Sequence, residues 1–147
     1  MSLDSDVRRM SLTRPFSLLP REALQLLAFS CEKRQFKAGQ TLFVAGEPAD
    51  CAFFLLTGEI ALSAAGEERL VAPGALIGET ALAVEVLRGA GARASADSTL
   101  LRIPRETFRR VLSEFPEAAV KVHADASKRT RRFLNQLETI RARAFEV

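Results

Sequence analysis

The chain has 147 residues, 48% of them apolar, and a formal net charge of +3. That length and apolar share suit one domain around one core. The mild positive charge suits a small anionic ligand and falls far short of a dedicated nucleic-acid binder.

Residues 1–34 are expected to form a helical N-terminal part. The opening "MSLDSDVRRM" is charged and carries no apolar stretch, so it does not have the pattern of a signal peptide. No apolar run reaches the length needed to cross a bilayer. A cytoplasmic location with no membrane partner is the expectation. In "LTRPFSLLPREALQLLAFS", Pro20 precedes a segment whose Leu24, Leu27 and Ala28 share one helical face. From 35 to 103 the character changes. Short apolar pieces end at glycines 39, 46, 58, 66, 74 and 78. Strands broken at such spacing point to an antiparallel sandwich or barrel. "EIALSAAGEERLVA" reads as a hairpin turning at Ala65-Gly66, and "SADSTLLRI" closes this zone before Pro104.

Residues 104–147 read as helical again. "PRETFRRVLSEF" starts with proline in a first helical turn and runs to Pro116. The remainder has no glycine or internal proline. Ala126, Thr130, Phe133, Leu137 and Ile140 recur by fours and threes, which is a heptad seam. A dimer-forming helix is expected; the alternative is a stripe packed on the chain's own barrel. Together the zones make residues 1–147 a single domain.

The inventory argues against enzymatic chemistry. His123 is the sole histidine, and Cys31 and Cys51 are the two cysteines. No clustered ligand spacing for zinc exists, and two cysteines cannot by themselves ligate an iron–sulfur cluster. His123 sits in a basic helical stretch without a nucleophile motif, so a surface or packing role is expected. Neither phosphate-binding glycine signature, G-x-x-x-x-G-K-[ST] or G-x-G-x-x-G, occurs. No catalytic residue, metal or cofactor is therefore expected.

"GALIGETALAVEVLRGAGARA", residues 74–94, stands apart. It is apolar and glycine-rich, yet places Glu79 after Gly78 and Arg88 before Gly89-Ala90-Gly91. One reading pairs the two charges with each other. The other has the glycines bare the backbone for an anion that the charges grip. Taken with "FKAGQTLFVAGEPADCAFFLLTGEIAL" upstream, the segment resembles the cyclic nucleotide-binding domain. That family is shared by catabolite activator proteins, the regulatory subunit of cAMP-dependent protein kinase and cyclic nucleotide-gated channels. The similarity runs over roughly residues 15–137. Its most specific part is the phosphate-binding cassette, Gly78-Glu79-Thr80-Ala81-Leu82 and then Arg88-Gly89-Ala90.

The resemblance implies an α+β, mainly β, fold: an antiparallel jelly-roll barrel, or double-stranded β-helix, flanked by N-terminal helices and a long C-terminal helix. It implies that Arg88 holds the phosphate and Glu79 the ribose hydroxyl, beside the backbone of Thr80–Leu82 and Gly89-Ala90. Elementary chemistry agrees. A guanidinium offers a charge-assisted, bidentate grip on phosphate, whereas a carboxylate only accepts hydrogen bonds and so suits a hydroxyl. Gly78 allows close backbone approach, and a short helix opening at Thr80 would aim free N–H groups at the anion.

Three departures from the family pattern stand out. "AVEVL" places Val84, Val86 and Leu87 between the cassette halves, as an apolar lid or contact surface. Gly89, Ala90 and Gly91 follow Arg88 with no hydroxyl, which weakens affinity and blurs the choice of base. The base-capping positions align near Phe133 and Leu134, which can cover a base but cannot hydrogen-bond its edge. The sequence stops at Val147 without the winged helix-turn-helix of the activator proteins, so the expectation is a stand-alone sensor, or part of something whose output lies elsewhere. Lys128, Arg129, Arg131 and Arg132 are read as a solvated helix face, not a DNA contact.

The resulting expectation is a regulatory module that binds cAMP, with cGMP second, and signals through its C-terminal helix to its own copy or to an unidentified protein partner. Two alternatives stay open. One is a nucleotide-free interaction domain docking through the 88–91 loop and "AVEVL". The other is a transcription-regulator fragment without its DNA-binding part.

Overall fold

Strand β4 (Cys51–Thr57, CAFFLLT) organises the molecule. Its six leading residues are all buried, because both of its faces are covered. Cys51, Phe53 and Leu55 point into a barrel core with Phe43, Ile60, Ile77 and Leu100. Ala52, Phe54 and Leu56 point the other way, into a second core with Met10, Phe16, Leu24, Leu27 and Phe108. The period-two alternation of a strand thus serves two cores at once. The structure, a computed structural model, describes the backbone of residues 3–145 and the side chains of these except Thr130, Phe133 and 136–145.

Around β4 lie nine further strands among the described residues. They are β1 (Glu32–Phe36), β2 (Thr41–Phe43), β3 (Pro48–Ala49), β5 (Ile60–Ala64), β6 (Glu67–Val71), β7 (Leu76–Ile77), β8 (Val86–Leu87), β9 (Gly91–Ala94) and β10 (Ser98–Pro104). One sheet runs β1-β10-β4-β7, a second β2-β9-β5-β6, and β3 pairs with β8 as a separate ribbon. Every pairing is antiparallel. The mixed, mainly β architecture implied by the resemblance is the one observed, with the antiparallel strands expected from the glycine punctuation. Ala65 and Gly66 both take positive φ, 52° and 80°, between Ala64 and its partner Glu67. That is the two-residue turn whose twist matches a hairpin.

Among the described residues four α-helices flank the strands: α1 (Leu3–Met10), α2 (Arg21–Ser30), α3 (Arg105–Ser113) and α4 (Pro116–Phe145). Leu24, Leu27 and Ala28 of α2 are buried as one face. One boundary moves. Helix α2 ends at Ser30 and β1 begins at Glu32, inside the stretch read as helical to 34. "EKRQ" carries no apolar alternation to announce a strand, and only pairing with β10 extends it. Helix α4 is continuous, as its lack of glycine and proline foretold. Of its expected seam, Ala126 is half-buried, while the side chains of Thr130, Phe133, Leu137 and Ile140 lie outside the described residues.

Candidate functional site

The cassette begins where β7 leaves the sheet. Ile77 is still paired with Phe53 of β4. The next residue, Gly78, turns the chain with φ +75°. This left-handed conformation disfavours any side chain, and a Cβ here would lie 2.5 Å from Nη1 of Arg88, so the guanidinium would have to shift. Glu79–Leu82 then form a short 3-10 turn. Ala81 and Leu82 anchor it in the core, at 1% and 3% exposure, while Thr80 stays exposed.

The second half returns through β8, paired with β3. The backbone of Arg88 is held on both sides: its N–H donates to the Glu47 carbonyl at 2.7 Å, and its carbonyl accepts from Gly46 at 2.8 Å. The side chain turns inward and is only 8% exposed. Its Nη2 donates to Cys51 Sγ at 3.3 Å, and its Cζ lies 4.1 Å from the centre of the Phe43 ring. Nη1 is buried and has no hydrogen-bond partner among the described residues. No carboxylate pairs with Arg88 among them either. Burial pushes the Cys51 thiol up, against the opposing pull of Arg102 and Arg88, so it faces the guanidinium as a neutral, weak acceptor. Next to this charge the loop is open. Gly89 is exposed, and a Cβ added there would meet nothing within 4 Å.

Glu79 does not pair with Arg88, which disposes of the mutual ion pair weighed from the sequence. Its carboxylate is instead in direct contact with the Arg129 guanidinium of α4. Arg129 also meets Asp125 at 3.3 Å, and Asp125 meets Arg14 at 2.5 Å. Its hydrogen bond to Glu79 raises the Arg129 pKa above the ordinary value. The reading of Arg129 as part of a solvated face is therefore corrected. Lys128, Arg131 and Arg132 are exposed as expected. The signal in the sequence was Asp125, four residues earlier and one helical turn away.

Two further arginines escaped the sequence reading. Arg105, at the start of α3, donates from Nε to the Ala81 carbonyl at 2.7 Å and from Nη2 to the Ala49 carbonyl at 2.5 Å. Arg109 donates to the Ala83 carbonyl at 3.2 Å. The cassette turn is thus tied to α3 as well as to α4. A cation in the first turn of α3 opposes the helix dipole, and Arg105 is held there by the Ala81 and Ala49 carbonyls.

The remaining expectations divide. Of the apolar "AVEVL" residues, Val84 and Leu87 are 49% and 65% exposed and Val86 is half-buried. Of the candidate base cap, Leu134 is 52% exposed and the Phe133 side chain lies outside the described residues. His123 is exposed. No cluster of three or more His, Cys, Asp or Glu that could hold a metal occurs among the described residues. None of the described helices is long and apolar enough to cross a membrane. An open groove of about 580 Å³ follows the β3–β8 ribbon between Asp50, Glu85 and Arg105. It contains neither Glu79 nor Arg88, and its one cation is committed to backbone carbonyls, so it is no rival anion site.

Known proteins share this fold. The family model described as cyclic nucleotide-binding domain matches residues 33–115. A cyclic nucleotide-binding-like protein from Brucella abortus is 39% identical with a TM-score of 0.70, covering 75% of this chain and 99% of that one. The N-terminal domain of a transcriptional regulator from Streptomyces coelicolor reaches a TM-score of 0.77 at 26% identity, covering 87% of this chain and 93% of that one. An NTE family protein of Mycobacterium tuberculosis is 37% identical over 97 residues, 65% of this chain. The matched part spans only 17% of that relative's length.

Proposed function

This chain belongs to the cyclic nucleotide-binding domain family, and on that footing we propose that it is a regulatory module whose ligand is cAMP, with cGMP second. One observation carries the proposal. Arg88 is a buried guanidinium with an unpartnered Nη1, beside a glycine that cannot be substituted without filling the space. A buried charge without a counter-ion is costly. A phosphate oxygen at Nη1 would supply both the hydrogen bond and the opposite charge. Thr80 and Gly89, one in each half of the cassette, are exposed. Glu79 would take the ribose hydroxyl as acceptor.

The contact between Glu79 and Arg129 supports signalling through the C-terminal helix. A ribose hydroxyl seeking Glu79 meets a carboxylate already engaged by α4. Binding would then shift the balance between helix positions, provided the ligand favours one of them. The output would pass to a second copy through the α4 seam, or to a protein partner. The NTE-family relative is far longer than the matched part, so a region on the same polypeptide is a further candidate for that partner. The domain itself would act without catalysis, in the cytoplasm.

The test is calorimetric titration and thermal unfolding with cAMP and cGMP, on wild type and Arg88→Ala. At a hundredfold excess over Kd, binding adds about 2.7 kcal/mol of stability, a rise of several degrees in Tm for a chain of this size. Loss of the guanidinium removes a charge-assisted bond worth about 1.5–3 kcal/mol, so affinity should fall at least tenfold in the variant. Equal binding by both proteins, or no response of wild type to either nucleotide, rejects the reading. Sedimentation at increasing concentration tests the dimer.

A further inference from the structure

We propose that Phe43 and Cys51 are positioning residues of the anion site, which hold the Arg88 guanidinium in place before any ligand arrives. The inference rests on the reading that Arg88 receives an anion. Three separate elements bear on that one side chain. Phe43 of β2 presents its ring face to Cζ at 4.1 Å. Cys51 of β4 accepts from Nη2 at 3.3 Å. Gly78, after β7, withholds the Cβ that would lie 2.5 Å from Nη1. Phe43 and Cys51 are themselves 8% and 3% exposed, so neither is free to swing away. Phe43 also stacks on Phe53, with centroids 6.1 Å apart and planes at 26°.

The arrangement divides the guanidinium's work. The ring face attracts the cation without consuming an N–H, since the attraction is to its quadrupole. The neutral sulfur is a weak acceptor, so it fixes Nη2 without neutralising the charge. A carboxylate at the same place would cancel the charge that the anion needs. Nη1 is the buried atom left unpartnered. A long, flexible side chain fixed beforehand has less freedom to lose when the ligand binds.

The experiment uses the full chain with cAMP as probe. Wild type, Phe43→Leu, Cys51→Ala and Cys51→Ser are titrated, and the motion of the Arg88 Nε–H is followed by NMR relaxation without ligand. Leucine removes the ring face; alanine removes the acceptor; serine restores an acceptor at the same place. Phe43→Leu and Cys51→Ala should each weaken binding about tenfold and turn a rigid Arg88 signal mobile. Cys51→Ser should behave as wild type in both. If Phe43→Leu does not fold, the Cys51 pair still decides. A mobile Arg88 in wild type, an affinity loss with Arg88 still rigid, or serine no better than alanine overturns the proposal. A wild type that ignores cAMP while its Arg88 is rigid, and is loosened by these variants, rejects the nucleotide reading and leaves the positioning intact.

Discussion

Gly78 and Arg88 form one unit at the scale of the residue. Glycine is required at 78 by its φ of +75° and by the guanidinium nitrogen 2.5 Å from where a Cβ would be. Gly78→Ala should therefore lower stability by about 1–2 kcal/mol from the left-handed backbone and also displace Nη1. Thermal unfolding reads the first effect and titration with cAMP the second. Cys31 offers a prediction in pH. Burial pushes its thiol from 9.0 up to about 12, so the folded protein keeps the proton where the unfolded chain has lost it. Stability is then full below pH 9 and is lost as pH rises toward 12. Urea unfolding from pH 8 to 11 should show a steeper decline for wild type than for Cys31→Ala. The glycine, glutamate and arginine of the cassette were legible in the sequence because their spacing is local. That Cys51 and Phe43 attend Arg88 was not, since β2 and β4 reach it only through the barrel.

Among the elements, the cassette turn is the one held from most sides. Ala81 and Leu82 sit in the core, and Arg105 and Arg109 of α3 hold its carbonyls. Arg105→Ala would leave the Ala81 and Ala49 carbonyls without this donor. An unmet buried acceptor costs about 1–3 kcal/mol. The urea midpoint should fall accordingly, and amide exchange over residues 79–84 should quicken more than in β4. Unchanged exchange there would mean that Arg105 supports only β3. Helices α2 and α3 and the β5–β6 hairpin were readable because each is specified by neighbours in sequence: an apolar face, a proline entry, an Ala-Gly turn. Strand β1 was not, because its polar residues become a strand only beside β10.

Over the whole molecule, a chain of charges joins distant parts. Arg14, Asp125, Arg129 and Glu79 link the segment after α1, helix α4 and the cassette. The Arg129–Glu79 pair is more than one-third exposed on both sides, so solvent screens it. Such pairs contribute about 0–1 kcal/mol. Asp125→Ala should hence change Tm little, yet free Arg14, leave Arg129 with Glu79 alone and loosen α4 at this point. Limited proteolysis within α4 should be faster in the variant and slower again in low salt for wild type, where screening is weaker.

By itself the sequence determined the fold class, the order helix–barrel–helix and the two charges of the cassette. These follow from hydrophobic period, glycine placement and short-range spacing, all properties of adjacent residues. Only the tertiary structure decided who meets those charges. Glu79 faces Arg129 some fifty positions on, while Arg88 lies between Phe43 and Cys51 with one nitrogen unmet. The physical reason is that a buried charge is governed by its neighbours in space. In a barrel those come from strands far apart in the chain.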